Sequence, residues 1–496
     1  MAKKNIIVVG GGIGGLTAGA LLAQAGCSVT ILEASREWGG CAGKFQRSQY
    51  LFASGATLGM GLEKGGIHER IFRHLGIKVD AFKLATVMQI KQGERTLTFY
   101  ADRSRHVQTL QQTFPDYKDE IASFYEELYK KASLIRLLMK KLPILPIKTG
   151  KEAFELLTSL QTSHLSLTPD FFKTIGSLLR KHRLHPCVDF VHFIDGQLID
   201  SMQTTSKDCA LLMGALALDI YHEGAYYVQG GLYQFAYELV EAAKRNGAQA
   251  ILGRRVTSIK KLEDQYVVED HRGNIRYADH VICNAPIQSL PALMDEKVYK
   301  QLSSGLKKRS KQDTWGTMTL YLSLKEAQLP EDFPLFQQLM DPDGKGHDEG
   351  SHLFLSISDK DDRKRAPEGY RTLTVSTHIN LDQWKTKAQY DLNKTLYTEK
   401  ILRTIRAHYP TIDDAIIDQY PGAPKAWERF TFRPFGIVGG FPQTRTHSLF
   451  FSLSHRTSLK NFWLCGDSVF PGGGTIGVSV SGYHCFHSIT GRRLIQ

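Results

Sequence analysis

Cysteine is scarce. Seven are scattered over 496 residues, and no two stand in a C-x-x-C pair. That excludes a disulfide framework and a cysteine-held metal site, and it points to a reducing, cytosolic compartment. Long apolar runs are missing too. None reaches the roughly 18 residues that a membrane-spanning helix needs. Lys3 and Lys4 precede an apolar run that leads into a glycine turn with no cleavage-like site, so no signal peptide is expected. No nucleic-acid motif, internal repeat or low-complexity tract is present. The basic surplus, a net +12, is therefore read as a solubility feature or as attraction to an anionic membrane surface.

What is there is ordinary globular composition, 42% hydrophobic and 23% charged, in a chain long enough for two or three lobes. The first forty residues organise it. Ile6 to Val9 is a continuous apolar run, as expected of a parallel strand buried on both faces. It ends in Gly10-Gly11-Gly12-Ile13-Gly14-Gly15. A helical pattern follows to Gly26, and Val29 to Leu32 reads as a second strand closed by Glu33 and Ala34. In this strand–turn–helix–strand context G-x-G-x-x-G has a physical meaning. Gly10 turns the chain off the strand, Gly12 leaves room for a pyrophosphate against the backbone, and Gly15 lets the helix pack closely. The phosphates would sit at the helix N-terminus, and Glu33 would accept hydrogen bonds from ribose hydroxyls.

A second glycine pair, Gly39-Gly40, follows Glu33. A simple nicotinamide domain has no use for it, so the expected cofactor is FAD. Gly55 to Gly61 is again glycine-dense, which suits backbone passing the flavin and equally suits a plain loop. From His68 a helical pattern runs to Gly76, and Ile77 to Arg95 reads as strands.

Residues from about Tyr117 to Leu218 turn helical. Ile121 to Pro143 repeats apolar residues at helical spacing, with Lys130, Lys131, Arg136, Lys140 and Lys141 on the other face. Such a helix either lies in an anionic membrane interface or buries its apolar face in a core. Phe171 to His182 poses the same choice and favours the core. Tyr227 to Leu232 is read as opening a helix ended by Gly247. Val256 begins a strand where such folds offer backbone hydrogen bonds to adenine, and Tyr266 to Val268 alternates like a hairpin. Thr317 to Leu324, Leu353 to Ile357 and Thr372 to Ile379 read as strands, and Pro342 to Gly350 as a polar loop.

The second strong signal is C-terminal: Gly466-Asp467, then Gly472-Gly473-Gly474-Thr475-Ile476-Gly477. An apolar strand ends in a carboxylate suited to ribityl hydroxyls. The helix that starts near Ile476 would stabilise negative charge on a reduced flavin through its dipole. Together with Gly10 to Gly15, Glu33, Gly39-Gly40, Tyr227 to Gly231 and Arg433 with Gly436, these residues make the whole chain resemble the carotenoid isomerase and phytoene (diapophytoene) desaturase flavoproteins. Retinol saturase and the amine oxidase superfamily are more distant kin. One departure is that Ala53 follows Phe52, where that family often has an aspartate.

The resemblance implies an α/β fold: a Rossmann-type FAD-binding domain of the glutathione-reductase-like kind, interleaved with an α+β substrate lobe with a helical, membrane-docking region. FAD-binding parts are expected at 1–80, 221–290 and 431–496, and the substrate lobe at 81–220 and 291–430. It implies desaturation or cis–trans isomerisation of an apolar polyene taken from a membrane by a peripherally bound cytoplasmic enzyme. Another FAD oxidase, of the amine or protoporphyrinogen type, or a non-catalytic lipid-binding escort protein, are the alternatives. Expected cofactor-binding residues are Gly10, Gly12, Ile13, Gly14, Gly15, Glu33, Ala34, Gly40, Val256, Gly466, Asp467, Gly474, Thr475, Ile476 and Gly477. No metal site is expected. The sequence names neither an electron acceptor nor a catalytic acid or base; His68, His74, His182, His185, His192 and His222 are scattered, and Asp189, Asp195 and Arg433 fit a pocket wall or surface ion pairs equally.

Overall fold

In the computed structural model, which describes residues 3–312, 314–341, 347 and 349–494, the N-terminal reading becomes a parallel sheet. Strand β1 (Asn5–Val9) pairs with β2 (Ser28–Leu32) on one side and with His280–Cys283 on the other. Gln249–Ile251 and Phe462–Leu464 complete the five strands at the edges. The sheet thus draws on the start, middle and end of the chain. Helix α1 (Ile13–Gln24) is buried from Ile13 to Ala23. It can be so because its glycines and alanines admit neighbours on every side: a Cβ on Gly482 of the last helix would stand 2.3 Å from the Gly14 carbonyl oxygen. The two ends of the chain therefore cross at backbone contact.

A three-stranded antiparallel meander (Val256–Leu262, Gln265–Asp270, Ile275–Ala278) lies beside this sheet, so the alternation at Tyr266 does mark a hairpin. Tyr227 differs from expectation. Ala225–Val228 is a strand, and the helix begins only at Tyr233, because Gly230 and Gly231 take left-handed φ of +84° and +91° and break the chain first.

The second large element is a seven-stranded sheet. Its order is Ile416–Gly422, Gly316–Lys325, Tyr370–Ile379, His352–Ile357, Phe336–Met340, Thr86–Gln92 and Arg95–Tyr100. Only the pair between Phe336–Met340 and Thr86–Gln92 is parallel. The strand alternation splits its two faces. Met318, Leu320, Leu322, Leu353, Leu355, Leu373 and Val375 join one core with Ile401, Leu402 and Ile405 of helix Lys387–His408. Thr317, Thr319, Phe354, Ser376 and His378 take the other face. Most of the polar loop read at Pro342 to Gly350, residues 342–346 and 348, lies outside the described residues.

The basic helix spans Lys118–Met139. Its apolar stripe (Ile121, Phe124, Tyr125, Leu128, Ala132, Ile135) is buried, against helices Arg103–Thr113 and Leu211–Glu223. Of its cations, Lys131 pairs with Glu127 at 3.3 Å and with Asp170, and Arg136 with Glu223 at 3.1 Å and with the buried Asp219. A helix whose stripe is spent on the core does not offer it to lipid. Helix Ile175–Lys181 likewise buries Ile175, Leu178 and Leu179.

Candidate active site

One cavity of about 1130 Å³ lies between the parallel sheet and the polar face of the seven-stranded sheet. Gly10, Gly12, Ile13, Gly14, Glu33, Ala34, Gly40, Val256, Gly466, Asp467, Gly474, Thr475, Ile476 and Gly477 all line it. Gly15 does not. A Cβ there would stand 2.3 Å from the Gly10 carbonyl oxygen, so its part is to let α1 close on the turn.

The turn is held from beneath. The Gly10 N–H donates to the Leu32 carbonyl at 2.8 Å, and the Gly39 N–H to the Gly11 carbonyl at 2.8 Å. Gly10 and Gly39 have φ of +103° and +102°, a region costly for residues with a Cβ. The second glycine pair is therefore bonded to the first. The Glu33 carboxylate accepts from Gly11 N–H at 2.5 Å and from Ser35 N–H at 2.7 Å. Burial pushes its pKa up, and these two donors act against that.

At the other end, helix Gly474–Thr490 starts behind Gly473, and α1 starts behind Gly12; neither cap residue offers a side-chain acceptor to the first-turn N–H groups. Two helix N-termini with donors unclaimed by a cap thus open on one cavity, an arrangement that favours bound negative charge. The glycine cradle and these donors fit a dinucleotide carrying a reducible ring.

Asp467 is not free for a ligand on both oxygens. Its Oδ2 accepts from Arg433 at 2.6 Å, and the same guanidinium donates to the carbonyls of Ile437 (2.6 Å) and Gly439 (3.0 Å). Both side chains are partly buried, at 12% and 14% exposure. Of the three residues read either as pocket wall or as surface pairs, only Arg433 lines the cavity. Asp189 pairs with the exposed Arg95, and Asp195 accepts from Ser206 N–H at 2.6 Å away from the cavity. His68 is a packed residue. Its Nδ1 is 2.6 Å from the Met60 carbonyl and its Nε2 3.1 Å from Ser479 Oγ; burial lowers its pKa to about 4.

Three groups went unread in the sequence. Asp200 and His378 line the far arm of the cavity with Met202, Met213, Leu216, Ile220 and Phe354. His352 stands 3.7 Å from the Asp200 carboxylate. No motif spacing joins these three; strand alternation places His378 on the cavity face only once the sheet's register is known. Among the described residues no group of three or more His, Cys, Asp or Glu is disposed to hold a metal ion, and no helix is long and apolar enough to cross a membrane.

The chain matches the sequence pattern of the flavin-containing amine oxidoreductases over residues 13–485. It is 26% identical over 503 residues to a prolycopene isomerase of Daucus carota, covering 98% of this chain and 80% of that one. It is 25% identical over 501 residues to a 4,4'-diapolycopene oxygenase of Methylomonas, covering 97% of each. An oxidoreductase from Methanosarcina mazei has the same fold, with a TM-score of 0.64 at 14% identity over 98% of this chain and 100% of that one. With glycine turn, paired helix ends and cavity in place, the chain belongs to the flavin-containing amine oxidoreductase family and is an FAD-dependent oxidoreductase.

Proposed function

We propose that this enzyme desaturates or isomerises a carotenoid-like polyene. The observation that carries the reading is the cavity. It exceeds the usual span of small-molecule pockets, about 300–1,000 Å³, and beyond the glycine cradle its wall includes the apolar Met202, Met213, Leu216, Ile220 and Phe354. That suits FAD plus a long apolar chain. The polyene-acting relatives support it.

On this reading the segments 1–80, 221–290 and 431–496 hold FAD, and 81–220 with 291–430 hold the polyene. Gly12 and Gly14 leave the pyrophosphate room at the N-terminus of α1, Glu33 accepts from the ribose, and Val256 lies at the adenine. Asp467, oriented by Arg433, faces the ribityl chain, and the N-terminus of the last helix faces the ring. Bound FAD supplies two-electron redox chemistry. The protein's residues align the polyene along the arm and keep water out.

Such a substrate resides in bilayers, and an anionic membrane surface is the proposed partner. The support is a patch other than the basic helix. Phe154, Leu165 and Phe172 are 67%, 69% and 67% exposed, and Phe450 and Phe451 are also exposed. Phe171 packs on Phe450 at 5.5 Å and Phe172 on Phe451 at 6.3 Å, which joins the two segments. Lys148, Lys151, Lys173 and Arg445 belong to the same segments. Aromatics flanked by cations suit an anionic interface.

The test is turnover of a carotenoid panel in anionic liposomes by the purified yellow protein. Product polyenes with altered double bonds support the reading. Oxidation of amines with peroxide release, and no change in any polyene, overturns it.

A further inference from the structure

Besides the apolar Met202, Met213, Leu216, Ile220 and Phe354, the cavity is lined by a carboxylate, Asp200. Asp200 comes from the last turn of helix Val188–Met202. Its Oδ2 accepts from Gln338 Nε2 at 2.6 Å, and Oδ1 lies 3.7 Å from His352 Nδ1. Its side chain keeps 15% exposure, and it lines the cavity. His378, from strand Tyr370–Ile379, lines the same arm with an Nδ1 that has no hydrogen-bond partner. An imidazole file leads outward from Asp200: His352, then His347 with ring centres 5.3 Å apart, then the half-buried His192 a further 5.6 Å on.

A carboxylate held out of water without a cationic partner is costly, and the unpartnered His378 Nδ1 near it adds to the cost. Strain of this kind collects at sites of function. The polyene itself has no group for Asp200 to bind. What polyene chemistry does need is a place for a proton.

We propose that Asp200, with His378 beside it, is the acid/base of this enzyme, and that the imidazole file connects it to solvent. The inference rests on the polyene reading above. In desaturation, one hydrogen of an adjacent C–H pair leaves with its electron pair to the flavin oxidant. The second C–H bond then breaks, its electron pair becomes the new π bond, and its proton forms an O–H bond on the Asp200 carboxylate. In isomerisation the same O–H protonates one carbon of a double bond, the C–C bond rotates, and the carboxylate takes the proton back, with no net oxidation. Burial raises the Asp200 pKa to about 6, while His378 and Gln338 act against it. Burial lowers His352 and His378 to about 4 each. The titratable groups facing Asp200 are these two histidines and Tyr221, whose phenol is pushed up by burial and by Asp200. The carboxyl therefore changes charge near the working pH, where a proton carrier is most effective, while the imidazoles stay neutral.

Two measurements test this. The first uses the full-length protein without substrate: ¹³C NMR of labelled aspartate carboxyls, titrated over pH 4 to 8. A resonance with a midpoint near 6 that is missing in Asp200→Asn supports the assignment; a midpoint near 4 for Asp200 overturns it. The second is the pH profile of polyene turnover. Asp200→Asn is expected to keep its flavin spectrum, lose about 100-fold or more in turnover and lose the limb near pH 6. Asp200→Glu is expected to recover part of the rate with the limb displaced. Turnover within a few-fold of wild type, or an unmoved limb in either variant, overturns the proposal. If Asp200→Asn loses its flavin, the limb of Asp200→Glu decides. A wild-type protein inert to every polyene sinks the substrate reading instead, and the NMR midpoint still decides the state of Asp200.

Discussion

The two walls of the cavity are built in opposite ways. The wall at the parallel sheet is mostly backbone: glycine turns, two helix N-termini and a few acceptors such as Glu33. The wall at the seven-stranded sheet is all side chain: Thr317, Thr319, Phe354, Ser376 and His378, with Asp200 across from them. Backbone recognition tolerates no added atoms. Side-chain recognition tolerates substitution but loses its chemistry. Variants should therefore fail differently on the two sides.

The largest effect should come where a Cβ meets backbone. Gly15→Ala brings a methyl to 2.3 Å from the Gly10 carbonyl oxygen, and the turn must open. We expect no retained flavin, and a stability loss at or above the roughly 1–3 kcal/mol usual for overpacking, read by visible absorbance and denaturant unfolding.

Arg433→Met should come next. It leaves the partly buried Asp467 without its cation, and leaving such an acceptor unpaired costs roughly 1–3 kcal/mol. Faster flavin release and a lower unfolding midpoint are expected. Unchanged values would mean that the pair is not what orients Asp467.

A smaller effect, opposite in sign, is expected across the cavity. The Asp200 carboxyl has its pKa raised in the folded state, from 3.8 to about 6. The folded protein then holds the proton more tightly than the unfolded chain. Stability attributable to this group is full below about pH 4 and is lost as pH rises through about 6. The loss is at most on the order of 3 kcal/mol. Asp200→Asn should therefore be more stable than wild type at pH 7 to 8, with the advantage gone near pH 4. A difference that stays constant with pH would contradict this. Removing a residue from the backbone-built wall should stabilise nothing.

The smallest effect on folding is expected outside both walls. Phe154→Ser with Phe172→Ser alters exposed side chains, so stability should stay within about 0.5 kcal/mol. Sedimentation with anionic vesicles should fall. Vesicle binding equal to wild type would remove the patch from consideration.

The legibility of the two walls follows the same division. Gly10 to Gly15, Glu33 and Gly466 to Gly477 could be read because the functional atoms are N–H groups and carbonyls of contiguous residues. A turn that needs φ of +103° at Gly10 announces itself as glycine. The basic helix was ambiguous because a stripe at helical spacing looks alike against lipid and against a core. Only its neighbours, helices Arg103–Thr113 and Leu211–Glu223, decide for the core. Tyr227 lies in a strand and not at a helix start, since an apolar run followed by glycines begins a helix or ends a strand equally well.

The sequence by itself determined that a dinucleotide is gripped by the chain's first and last segments, since local backbone conformation is written in local residue type. Only the tertiary structure decided that Asp200 and His378 line one cavity with His352 beside Asp200. Their meeting depends on the register between strands Gly316–Lys325, Tyr370–Ile379 and His352–Ile357, and a slip of one residue would turn His378 into the opposite core.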